Sequence, residues 1–157
     1  MATPLHRSSK RTAGSGLLLC ALAAVPTLAL AASDFRSAAR TTILYDQPSL
    51  QSAKRLIAMR GTPLEVIQPQ GAWYQVRDPG GAMTWIEAGA LSSLRTVMVT
   101  SDTAEIRSNA SFSAPVVFAA ARNLVLQAQG EPVDGWLPVR HEDGTTGFVR
   151  VTDVWGL

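Results

Sequence analysis

Trp73-Tyr74-Gln75-Val76-Arg77 and Trp136-Leu137-Pro138-Val139-Arg140 decide the fold, because they are one pattern written twice, 63 positions apart. Trp85-Ile86 stands the same distance before Phe148-Val149. Upstream the offset is 62: Ser49 matches Ser111, Leu56 matches Phe118, Arg60 matches Arg122 and Leu64 matches Leu126. A colinear set with one single-residue shift marks an internal duplication, in which each copy is one structural unit.

Within each copy, short runs rich in β-branched, aromatic and other apolar residues alternate with turn residues. In the first copy Leu56–Met59, Leu64–Gln68, Trp73–Arg77 and Met83–Glu87 read as strands, punctuated by Gly61, Gln70-Gly71 and Pro79-Gly80-Gly81. In the second, Val116–Ala121, Leu124–Gln129, Trp136–Arg140 and Gly147–Val151 are separated by Gly130, Asp134-Gly135 and Asp143-Gly144. Ala119-Ala120-Ala121-Arg122 is too short for a stable helix, and its counterpart Ile57–Arg60 lies in a strand. This spacing predicts an all-β chain of two tandem small barrels or sandwiches with little helix, limited to single turns near Ala88–Leu91 and Thr152–Trp155. A barrel of this size without disulfide or metal has a core worth only ~3–5 kcal/mol. Two of them joined by Ser92–Thr96, a connector without Gly or Pro, are therefore expected to pack together as one body.

The second copy resembles the bacterial SH3 (SH3b) domain. Ile106-Arg107-Ser108-Asn109-Ala110-Ser111 is similar to that family's opening segment, Gly135-Trp136-Leu137-Pro138-Val139 to its G-W-x-x-V strand, and Gly147-Phe148-Val149 to its later G-W-V strand. The first copy resembles it more loosely: Leu44-Tyr45-Asp46-Gln47-Pro48-Ser49 keeps the Pro-Ser end, Ala72-Trp73 replaces Gly-Trp, and Thr84-Trp85-Ile86 replaces Gly-Trp-Val. The resemblance implies SH3-like barrels that bind cell-wall or peptide ligands, and it names no particular ligand.

Composition fits that frame. The 157-residue chain is 46% hydrophobic and has a formal charge of +2, which excludes a disordered chain. Three of its basic residues, Arg7, Lys10 and Arg11, lie at the extreme N-terminus; from Ala32 onward acidic and basic residues nearly balance, so no cationic excess remains for nucleic acid. Residues 1–16 are polar and basic, 17–30 are apolar, and Ala29-Leu30-Ala31 places small residues at a cleavage site, so 1–31 are predicted to be a signal peptide. The apolar run is interrupted by Pro26 and short of the ~20 residues that span a bilayer, so no stable membrane anchor is expected after cleavage. Cys20, the only cysteine, follows Leu19 at the start of the run, which disfavours lipidation and leaves the mature chain without disulfides. The expected domains are 32–94 and 95–157, and the expected location is the periplasm or the outside of the cell.

Strand alternation assigns candidate binding residues. If Val76 points to the core, Trp73, Gln75 and Arg77 face outward; likewise Leu137 and Val139 face inward, and Trp136 and Arg140 outward. An outward Trp either lines a groove or caps the open end of its barrel. Tyr45, Trp85 and Phe148 are further groove candidates, and Arg107 joins them from the matched opening segment. Arg77 and Arg140, like Arg60 and Arg122, recur at matched positions and suit a carboxylate ligand or a plain solvated face. Catalysis is not expected: no Cys follows the signal, and His141-Glu142-Asp143 reads as the polar flank of a hairpin tip. One histidine with two acids is too few for a metal site, and no phosphate loop follows the signal, so no cofactor is expected. The sequence thus predicts a non-catalytic cell-envelope module that recognises peptidoglycan or peptide segments through aromatic grooves; the alternative is a structural adaptor packing against a partner envelope protein.

Overall fold

The computed structural model describes Ala2 and residues 33–157, so the predicted signal peptide, its cleavage site and Cys20 lie outside the described residues. The first copy contributes β1 (Asp34–Ala38), β2 (Thr42–Tyr45), β3 (Lys54–Ala58), β4 (Pro63–Gln70), β5 (Trp73–Arg77), β6 (Met83–Glu87) and β7 (Leu91–Ser92). The second contributes β8 (Thr96–Val99), β9 (Thr103–Arg107), β10 (Val116–Ala121), β11 (Val125–Ala128), β12 (Trp136–Arg140), β13 (Thr146–Arg150) and β14 (Val154–Trp155). Single 3-10 turns at Ala88–Ala90 and Val151–Asp153 precede the last strand of each copy, where the sequence predicts them.

The two sheets have the same topology. Their strand orders are β3-β2-β6-β5-β4-β1-β7 and β10-β9-β13-β12-β11-β8-β14, which coincide when each strand is matched to the one seven places later. Register agrees as well: Tyr45 pairs with Trp85 in the first sheet as Arg107 pairs with Phe148 in the second. All pairings are antiparallel, and the chain folds as two tandem all-β, SH3-like barrels. Sequence patterning locates β5, β6, β10 and β12 to the residue, and reads no strand at β1, β2, β7, β8, β9 or β14. Two of these are only two residues long, and Thr96 of the supposed connector already belongs to β8.

Alternation places the cores as expected. Leu137, Val139 and Val149 are buried with Ile106 and Leu126 in the second barrel, and Val76 with Leu44, Leu64 and Ile86 in the first. The first core is smaller, with Ala38, Ala58 and Ala90 among its seven buried members. Residues 32–157 nevertheless form one compact unit. The Thr96 hydroxyl donates to the Gly61 carbonyl at 2.7 Å, the Ser37 hydroxyl donates to the Leu94 carbonyl at 2.8 Å, and the Phe35 and Trp155 rings meet edge to face at 4.9 Å.

Gly147 shows why the second barrel keeps the glycine of its G-F-V strand. A Cβ there would lie 2.6 Å from Ile106 Cγ2 and 2.8 Å from the Arg107 carbonyl oxygen, so β13 could no longer sit this close to β9. Gly147→Ala is expected to lower stability by about 1–3 kcal/mol through overpacking, read as a shift of the urea midpoint at unchanged slope. The first barrel carries Thr84 at the matched position, and its hydroxyl oxygen is buried without a hydrogen-bond partner.

Candidate functional site

On the outer face of the second barrel, alternation along β12 and β13 brings Trp136 opposite Arg150 and Pro138 opposite Phe148, with Arg107 of β9 on the far side of Phe148. The loop between β9 and β10 folds over this face. It is tied down by Arg107, whose Nη1 donates to the carbonyls of Phe112 at 2.8 Å and Ala114 at 2.6 Å while Nη2 pairs with Glu105. The loop delivers Phe112, 65% exposed, edge-on to Trp136 at 5.3 Å, and the Arg150 guanidinium lies 4.9 Å over the Phe112 ring. These residues, with Thr103, Glu105 and Asp153, line a cleft of about 350 Å³.

The predicted site residues divide by position. Trp136 and Arg107 lie in this cleft, but Trp136 is only 5% exposed because Phe112 covers its ring. Arg107 spends its donors on the loop, which makes it a positioning residue for Phe112. Phe148 is half-buried, one strand from Arg107 on the same face. Arg140 is exposed at the opposite end of β12, roughly 13 Å along the strand from Trp136. Alternation alone missed Phe112, which sits in a loop without period, and Arg150, whose register opposite Trp136 was readable once the hairpin was placed.

In the first barrel three aromatic residues stand on the matched face. Tyr45 stands where the second barrel has Arg107; it pairs across the sheet with Trp85 and meets the Trp73 ring edge to face at 5.4 Å. Tyr45 and Trp85 are 8% and 7% exposed, so the three rings bury one another and Trp73 alone is half-open. Leu50 and Glu87 occupy the positions of Phe112 and Arg150, which removes the stacked cation. Arg77 lies at the far end of β5 in a 2.9 Å ion pair with Glu65. The two barrels therefore present one face with two chemistries: an aromatic slab closed on itself, and an open cleft with a cation at its rim.

His141 and Asp143 flank the β12–β13 turn as expected. The Asp143 carboxylate accepts the Thr145 amide at 2.8 Å and faces His141 Nδ1 at 3.1 Å, and these bonds, the backbone one foremost, hold its pKa at about 2. The imidazole leans on the Phe118 ring at 5.6 Å. Glu142 is exposed beside them, and this arrangement closes the turn.

Comparison with known proteins follows the internal repeat. A family model described as the bacterial SH3 domain matches residues 38–93 and again residues 100–156. No curated protein matches the sequence. Among solved structures the chain is similar to two proteins of Trichomonas vaginalis. NlpC2 is matched at 13% identity and a TM-score of 0.36, over 79% of this chain and 48% of that one. NlpC1 is matched at the same identity and TM-score, over 78% and 45%. The chain thus spans about half the length of these structures.

Proposed function

From the premise that the chain belongs to the bacterial SH3 domain family and carries that domain twice, we propose that it is a non-catalytic cell-envelope binding module whose ligand seat is the cleft of the second barrel. The observation that carries this reading is Phe112: a large ring held 65% exposed by a loop that Arg107 pins, stacked under the guanidinium of Arg150, which has no ion-pair partner among the described residues. An exposed aromatic is unfavourable in water and serves recognition, because it offers contact area with little entropy to lose. Arg150 adds a planar fork for a carboxylate, and Glu105 and Asp153 stand within the same cleft for an amine. A short peptide carrying both groups, such as the stem peptides of peptidoglycan, matches that set. Export through the N-terminal signal is part of the same reading.

Phe112→Ala and Arg150→Ala test it. Arg150→Ala is expected to unfold at the wild-type midpoint within about 0.5 kcal/mol, and Phe112→Ala, which uncovers the Trp136 ring, to cost about 1 kcal/mol and leave the barrel folded. Each is expected to weaken binding to purified sacculi at least tenfold, followed by intrinsic fluorescence or co-sedimentation. Wild-type protein that fails to bind sacculi, or variants that bind equally well, would remove the proposal.

A second reading, an adaptor that packs against another envelope protein, is favoured by one observation. The first barrel exposes Leu56 and Ile57 on β3 and Met59 just beyond its end.

A further inference from the structure

Matched positions of the two barrels diverge along β3 and β10 in a way that changes their packing. In the second barrel Phe118 of β10 packs against the core and the His141 ring. In the first, the matched residue is Leu56, 43% exposed, and Asp78 replaces His141. The space that Phe118 fills in one barrel is therefore open in the other. A cleft of about 410 Å³ lies between Lys54, Arg55 and Leu56 of β3 and Ala82, Met83 and Thr84 at the start of β6. It includes Thr84, 2% exposed, whose hydroxyl oxygen lacks a partner. A buried hydroxyl left unpaired costs ~1–3 kcal/mol, and this oxygen is itself shielded from solvent, so the slot is defined by its apolar walls at Leu56 and Met83.

β3 is also the terminal strand of its sheet, paired with β2 alone. Its outer edge carries backbone groups available to another chain, and Lys54 and Arg55 on it repel a partner strand of like charge while leaving an acidic one unopposed. Ile57 is 69% exposed on it, with Ile43 directly opposite on β2, and Met59, 63% exposed, follows its end.

Charge selects the occupant. The apolar stretch is flanked by Lys54, Arg55 and Arg60; Arg55 reaches Asp46 at 3.6 Å with both groups exposed, a weak tie, and Lys54 and Arg60 have no ion-pair partner among the described residues. Antiparallel pairing with a second copy centred on Ile57 would set Lys54 against Arg60, and like charges directly opposite are destabilising. A foreign strand with an apolar centre and acidic ends meets the same edge without repulsion. The geometry points to β3 as a docking strand for an extended protein segment of that kind, which adds to the sheet edge and sets one side chain into the slot beside Leu56 and Thr84. The inference rests on the adaptor reading and supplies its partner chemistry; it does not depend on the cleft of the second barrel.

The probe is a synthetic peptide, acetyl-Glu-Glu-Val-Ile-Val-Ile-Glu-Glu-amide, titrated into the purified protein with amide exchange followed residue by residue. Binding is expected to protect amides of β3, and a peptide with Lys in place of every Glu is expected to bind at least tenfold more weakly. Ile57→Glu should abolish binding by setting an unpaired charge against the peptide's apolar centre. Leu56→Phe, which copies the second barrel, should fill the slot and weaken binding at least fivefold, and Phe112→Ala should leave peptide affinity unchanged while removing sacculus binding. Absence of peptide binding, equal binding by Ile57→Glu, or a protein that dimerises through β3 by itself would overturn the inference and leave the second-barrel cleft untouched.

Discussion

Trp136→Ala is expected to cost about 3–5 kcal/mol, the range for removing a buried Trp. The size of the loss follows from what the ring does. Trp136 is 5% exposed, it is edge-packed by Phe112 at 5.3 Å, and its backbone closes a two-way hydrogen-bonded turn with Val133 at 2.8 and 2.9 Å. Truncation leaves a void under the β9–β10 loop that Arg107 alone cannot collapse, and Phe112 loses its partner at the same time. At roughly 3 °C per kcal/mol for a body of this size, the thermal midpoint should fall by about 10 °C or more, read by far-ultraviolet circular dichroism. Trp136→Phe should recover more than half of that. The same reasoning disqualifies Trp136→Ala as a binding test, since lost affinity would follow from lost structure. Phe112, open to solvent, separates the two. A midpoint unchanged by Trp136→Ala would mean that the ring stands exposed and that the description of the cleft is wrong.

This contrast marks how far the sequence could be read. Alternation along β12 correctly sends Leu137 and Val139 inward and Trp136 to the other face. It cannot show that the other face is roofed, because the roof is a loop whose conformation depends on Arg107 bonding two carbonyls five and seven residues on. Likewise the repeat shows that Tyr45 and Arg107 occupy one register position. Only the packing shows that Tyr45, Trp73 and Trp85 close over one another while Arg107 opens a cleft. Strand existence was legible wherever period and turn residues agreed, as for β5, β6, β10 and β12. It was lost for β1 and β8, which pair to strands far along the chain and have no flanking glycine to announce them.

Gly156 yields the other large effect, and it probes the seam between the barrels. Its φ of +119° lies in the region that side chains rarely adopt. A Cβ there would stand 2.7 Å from the Thr96 carbonyl oxygen, 3.1 Å from Pro63 Cβ and 3.3 Å from Val97 Cα. Two of these neighbours belong to β8 and one to β4 of the other barrel, so neither backbone nor ring can yield without parting the barrels. Backbone strain of ~1–3 kcal/mol and overpacking of ~1–3 kcal/mol act together. Gly156→Val is expected to cost about 3 kcal/mol or more. Gly89, with no atom within 4 Å of its Cβ and no positive φ, is the control, and Gly89→Ala should be neutral within about 0.5 kcal/mol. The form of the transition matters more than its midpoint. The first barrel has the smaller core, and Thr96 shares its hydroxyl with Gly61 beside Pro63. If the seam supports that barrel, Gly156→Val must lower the stability of both copies, giving one early transition by fluorescence and circular dichroism alike. Two separated transitions, with the first barrel unfolding at its wild-type midpoint, would show instead that each barrel stands without its neighbour.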